Sequence, residues 1–130
     1  VIVALIAGEP DSARYTNLLS VAERRLTSGL VILEAAMRLS TLLKLAPVRA
    51  EALIHMLLDE AAITIVPIDG ETATAAVAAF AAYGKGRGHP AQLNLADCMS
   101  YACALTHGVP LLFKGNDFSK TDIEAAGAGA

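Results

Sequence analysis

Apolar and polar residues fall in blocks along this chain, and the length and period of each block predict an element. An apolar opening, Val1 to Ala7, runs into Gly8-Glu9-Pro10. Pro10-Asp11-Ser12 reads as a helix start, followed by Tyr15, Leu18, Leu19 and Ala22 at helical spacing. Arg25-Leu26-Thr27 fits a short buried strand. Ser28 is placed to cap a long amphipathic helix carrying Leu30, Leu33, Glu34 and Met37 and ending near Leu45. Pro47 opens the next helix, where Ala52, Leu53, Met56 and Leu57 recur. "ITIVPI", Ile63 to Ile68, is short and β-branched, a strand closed by Pro67.

Asp69-Gly70-Glu71 turns into an Ala-rich helix ending at Tyr83-Gly84. "GKGRGHP", Gly84 to Pro90, is the most loop-like stretch. Asn94 caps a helix through Asp97, Tyr101 and Leu105 that Gly108 stops, and "VPLLF", Val109 to Phe113, is a further buried strand. The polar run "KGNDFSKTD" follows. The tail, 125–130, is expected to be disordered, which leaves one domain over 1–124. Strands alternating with helices predict an α/β fold with a parallel sheet covered on both faces. Working sites in such folds lie at the carboxyl ends of the strands, which directs attention to Lys114 through Asp122.

Composition narrows the function classes. The 130 residues suffice for one core without disulfides, and with 55% hydrophobic but only 5% aromatic residues that core is built from aliphatic side chains. The apolar runs are far too short to span a membrane, and the opening lacks the basic region of a signal peptide, so a cytoplasmic protein is expected. Cys98 and Cys103 match neither a redox pair nor a zinc site and read as buried thiols. His55, His89 and His107 form no zinc motif; His55 is expected at the surface and His107 at the end of its helix. A net charge of −3 argues against broad non-specific nucleic-acid binding, yet leaves room for a basic strip beside an acidic centre.

Three acids occupy apolar surroundings: Glu34 in "LVILEAAM", Asp97 in "NLADCMSYA" and Asp117 after the last strand. Buried carboxylates are costly unless paired or metal-bound, and a cluster of them suits a hard divalent cation. Each also has a purely structural explanation. Glu34 can pair with Arg38 one turn on, Asp97 can complement its helix dipole, and Asp117 can cap a turn. A phosphatase is disfavoured, since no Asp-x-Asp pair is present.

The stretch "YGKGRGHPAQLNLADCMSYACALTHGVPLLFKGNDFSKTDI", Tyr83 to Ile123, resembles the C-terminal half of PIN-domain proteins, most closely the VapC ribonuclease toxins of toxin–antitoxin systems. "SGLVILEAAMRL" resembles the family's glutamate-bearing helix, and "VALIAGEP" the segment after its first strand. The resemblance implies a three-layer α/β/α sandwich and an acidic cluster holding Mg²⁺ or Mn²⁺, with RNA cut endonucleolytically by a metal-activated water. It places Glu34, Asp97 and Asp117 on three of the four acids. Asn94, Asn116, Ser119, Thr121 and Asp122 then become supporting residues, Asp122 either assisting the metal or, as the preferred role, holding its loop. Lys85, Arg87, Lys114 and Lys120 become candidates to hold the RNA backbone.

The implied partners are an RNA substrate (a tRNA or ribosomal RNA), a second copy of the chain, and a VapB-type antitoxin that sets a basic side chain into the acidic site. Family members also begin with a strand ending in Asp-x-Ser, whose Asp is the first ligand. It would fall ahead of Val1, so that strand is expected to be missing from this chain. The alternative is a catalytically impaired PIN-fold module that dimerises and binds antitoxin.

Overall fold

The structure, a computed structural model, describes residues 1–127. Two units divide the chain, Val1–Val66 and the part from Pro67 onward. In the first, β1 (Leu26–Ser28) pairs in parallel with β2 (Thr64–Val66), Leu26 opposite Thr64 and Ser28 opposite Val66. A parallel pair needs a long crossover. α3 (Gly29–Leu42) and α4 (Pro47–Glu60) supply it. Ser28 ends the strand in extended conformation and caps α3 by accepting from the Val31 N–H at 3.5 Å. Pro47 takes the first turn of α4, where its missing N–H costs nothing.

Two further helices, α1 (Ile2–Ala7) and α2 (Ser12–Val21), precede the sheet. The first unit's core joins Val3 of α1 to Ile32, Ala35 and Leu39 of α3 and to Ala50, Ile54 and Leu58 of α4. This corrects the expected faces. Leu33 and Met37 are exposed on α3, as is Met56 on α4, while Leu39, Ala50 and Ile54 are fully buried. α3 is apolar almost all round, so its period alone does not choose a side; packing against α4 selects the face with Ala35. The helix also stops at Leu42 rather than Leu45, where Lys44 turns left-handed at φ 53°.

In the second unit α5 (Gly70–Tyr83) packs on α6 (Leu95–Thr106). Asp69 caps α5, accepting from both the N–H and the hydroxyl of Thr72 at 3.0 Å, which holds its carboxyl below the usual value. Ala79, Ala91, Leu93, Cys98, Tyr101 and Phe118 form this unit's core. "VPLLF" does not form a strand. Pro110 has no N–H to give a ladder, and only Leu111 is bridged, to Ala125. Leu111 donates to Glu124 O and accepts from Ala126 N–H, both at 2.8 Å, so the first two residues assigned to the tail, bridged Ala125 and bonded Ala126, are paired. The rest of that expected tail, 128–130, lies outside the described residues.

Candidate functional site

The start of α6 shows how local chemistry sets a carboxylate. Asn94 is extended, and its side-chain oxygen accepts from the Asp97 N–H at 2.9 Å. The Asn94 N–H returns a bond to Asp97 Oδ2 at 3.1 Å, closing a capping box. One carboxylate oxygen is thereby fixed, and the side chain sits half-buried. Burial pushes the Asp97 carboxyl above its ordinary value; the Asn94 N–H pulls it down, and the charge of Asp117 pushes it up again. Asp97 and Asp117 are thus within electrostatic reach of each other.

Asp117 is exposed and stands just ahead of a single 3₁₀ turn, Phe118–Lys120. The surrounding loop is bonded to itself. Ser119 Oγ donates to Asn116 O at 2.6 Å, Thr121 Oγ1 donates to Phe118 O at 2.7 Å, and the Ile123 N–H donates to Thr121 Oγ1 at 3.3 Å. Phe118 anchors the turn in the core, its ring 5.3 Å from that of Phe113. Asp122 accepts from the buried Tyr101 hydroxyl, which holds the Asp122 carboxyl below its usual value and, with burial, pushes the phenol well up.

Glu34 belongs to the first unit, exposed on α3 rather than on its buried face. Among the described residues no three of His, Cys, Asp and Glu converge as a metal-holding group. The chemistry of the second unit still fits a hard cation, because two mutually repelling carboxylates, one of them half-buried, are the oxygen donors such an ion takes. Competing chemistries are spoken for. The Cys98 thiol is buried and pushed up by desolvation and by Asp97, and neither Cys98 nor Cys103 forms a disulfide. His55 lies 3.6 Å from Glu51 at the surface, and His107 Nδ1 meets Cys103 O at 2.9 Å.

Lys85, Arg87, Lys114 and Lys120 are all exposed. The loop bearing the first two is pinned at its base, where Lys85 N–H donates to Leu93 O and Leu93 N–H to Tyr83 O, both at 2.9 Å. Gly84 is needed there, since a Cβ would overlap the Phe80 ring. That ring in turn lies 5.7 Å beneath the Arg87 guanidinium. His89 Nδ1 accepts from the Ala91 N–H at 3.0 Å and its ring meets Tyr83 edge-on. The tyrosines are what sequence reasoning missed. The available signal was the spacing of Asp97 and Tyr101, one helical turn apart on one face of α6.

Comparison with known proteins follows the same residues. The sequence profile of the PIN domain matches residues 1–124. The chain is 40% identical over 125 residues to VapC ribonuclease Mb0625 of Mycobacterium bovis and to Ribonuclease VapC28 of Mycobacterium tuberculosis, covering 96% of this chain and 92% of each relative. VapC ribonuclease R02377 of Rhizobium meliloti is 39% identical over 134 residues, covering 95% and 94%.

Proposed function

The chain belongs to the PIN-domain family, and from that premise we propose that it is a divalent-cation-dependent endoribonuclease, the toxin of a toxin–antitoxin pair acting in the cytoplasm. The observation that carries this is the half-buried Asp97 carboxylate, fixed by Asn94 at the start of α6 in a chain that matches the PIN domain over residues 1–124 and is 40% identical to VapC ribonucleases. Asp97 and Asp117 would hold Mg²⁺ or Mn²⁺. When bound, the cation lowers the pKa of a water and neutralises charge building at the scissile phosphate.

The chain's own residues do the rest. Asn94 fixes the rotamer of Asp97 through its reciprocal bonds. Ser119 and Thr121 stiffen the loop from which Asp117 projects. Lys85 and Arg87, raised on a loop whose base is pinned, suit the backbone of a tRNA or ribosomal RNA, with Lys114 and Lys120 flanking the acidic loop. The exposed Leu33 and Met37, one turn apart on α3, support association with a second copy, and a VapB-type antitoxin is the expected inhibitor.

The test is a cleavage assay on total tRNA with and without Mn²⁺. Cleavage should require the ion and fall by more than about 100-fold in Asp97→Asn, beyond the range for losing a merely supporting group. Ion-independent cleavage, or full cleavage by Asp97→Asn, would refute the assignment. An inert wild-type chain that still binds antitoxin would mark a binding module instead.

A further inference from the structure

The Asp117 charge works against the ionised form of Asp97, so a contact elsewhere is needed to favour the acidic loop staying against α6 before any cation arrives. Asp97 and Tyr101 stand one turn apart on α6, and Asp117 and Asp122 lie five residues apart in one loop. The Tyr101–Asp122 bond and the reach of the Asp117 charge to Asp97 set helix and loop against each other across two rungs. The upper rung, Asp97 with Asp117, is repulsive. The lower rung, Tyr101 with Asp122, is a hydrogen bond from a phenol that is only 6% exposed.

Between the rungs the loop is internally bonded, from Asn116–Ser119 through Phe118–Thr121 to Thr121–Ile123. These bonds link one end of the loop to the other, so restraining Asp122 also restrains Asp117. Phe118 adds burial but no direction, because apolar contact tolerates sliding. The Tyr101–Asp122 bond supplies the direction. The Tyr101 ring is itself held, tilted against Tyr83 at 5.7 Å, and Tyr83 is braced edge-on by His89 at 4.9 Å.

We propose that Tyr101 is a positioning residue: through Asp122 its hydroxyl clamps the 114–122 loop to α6 and keeps Asp117 beside Asp97, ready for a divalent cation. This rests on the assignment of Asp97 and Asp117 as cation-holding acids, and it makes Asp122 the far half of the clamp rather than a ligand.

The experiment measures Mn²⁺ affinity by titration calorimetry on the whole protein and on Tyr101→Phe, Asp122→Asn, Asp122→Ala and Asp97→Asn. Tyr101→Phe removes one oxygen and should weaken Mn²⁺ binding by about 10-fold or more. Its lost cleavage should return at high Mn²⁺, which a general loss of structure would not allow. Asp122→Asn keeps an acceptor for the phenol and should lie closer to wild type than Asp122→Ala. Should Tyr101→Phe not fold, the Asn and Ala variants read the clamp from its other end.

If Tyr101→Phe binds Mn²⁺ as wild type does, the clamp is overturned while the site stands. Asp122→Asn falling as far as Asp122→Ala, with Tyr101→Phe intact, would make Asp122 a ligand and overturn it too. If the wild type and Asp97→Asn alike fail to bind Mn²⁺, the cation site itself falls and takes the clamp with it.

Discussion

Asp97 serves two purposes that pull in opposite directions. As the third residue of α6 it completes a capping box, a task that favours an ionised carboxylate at a helix N-terminus. As a half-buried neighbour of Asp117 it is pushed toward the neutral form, and burial is the larger effect. A carboxyl raised above its unfolded value of 3.8 binds more protons folded than unfolded, so its contribution to stability falls as pH rises from 3.8 through the folded value. Asp97→Asn copies the neutral form and can still accept from the Asn94 N–H. The metal-free variant should therefore melt no lower than wild type at pH 7 and slightly higher, while losing Mn²⁺ binding; calorimetric melting scans read this directly. Asp122 has the opposite sign. The Tyr101 hydroxyl depresses its carboxyl, so that bond stabilises the fold above pH 3.8, and the gain disappears as pH falls through the depressed value. Acid unfolding of Tyr101→Phe should accordingly lack this part of the wild-type loss as pH falls below 3.8, an absence that urea midpoints measured at successively lower pH will show.

Elements whose signals are local could be read from the sequence. Ser28, Asp69 and Asn94 each announce a helix because a cap is made within three residues of itself, and all three accept from the expected N–H. Pro47 and the glycine-rich loop are legible for the same reason. The faces of α3 and α4 were not, since Leu30, Leu33 and Met37 repeat as faithfully as Ile32, Ala35 and Leu39, and only the partner helix distinguishes the two sets. "VPLLF" failed as a strand because strand formation depends on a neighbour, and Leu111 finds only the 124–126 segment. At the site, the motif marked Asp97 and Asp117, but a bond between residues 21 apart, Tyr101 to Asp122, leaves no local trace. The face correction is testable. Leu39→Ala, at a fully buried position, should cost about 2–5 kcal/mol by urea denaturation. Leu33→Ala, 56% exposed, should stay within about 0.5 kcal/mol at protein concentrations low enough to keep the chain monomeric.

At the scale of the whole molecule the problem is electrostatic. A chain of net charge −3 must approach a polyanion and present carboxylates to it. The part from Pro67 onward contains only four lysines and arginines, and they are Lys85, Arg87, Lys114 and Lys120, two on the glycine-rich loop and two beside the acidic loop. Within this part of the chain the positive charge therefore flanks the proposed chemistry, and general affinity for nucleic acid is kept low by the net negative charge. Binding of single-stranded RNA by four phosphate contacts predicts that the logarithm of affinity falls against the logarithm of salt with a slope of roughly 3, at about 0.7 per contact. Replacing Lys85 and Arg87 together by Ala should lower that slope by about 1.4 on the same rule, weakening binding at low salt much more than at high salt. Fluorescence anisotropy of a labelled RNA on Asp97→Asn, which binds without cutting, is the measurement, and the double variant belongs in that background. A slope left unchanged would remove the glycine-rich loop from the RNA interface. It would not touch the Mn²⁺ titration, which involves no RNA.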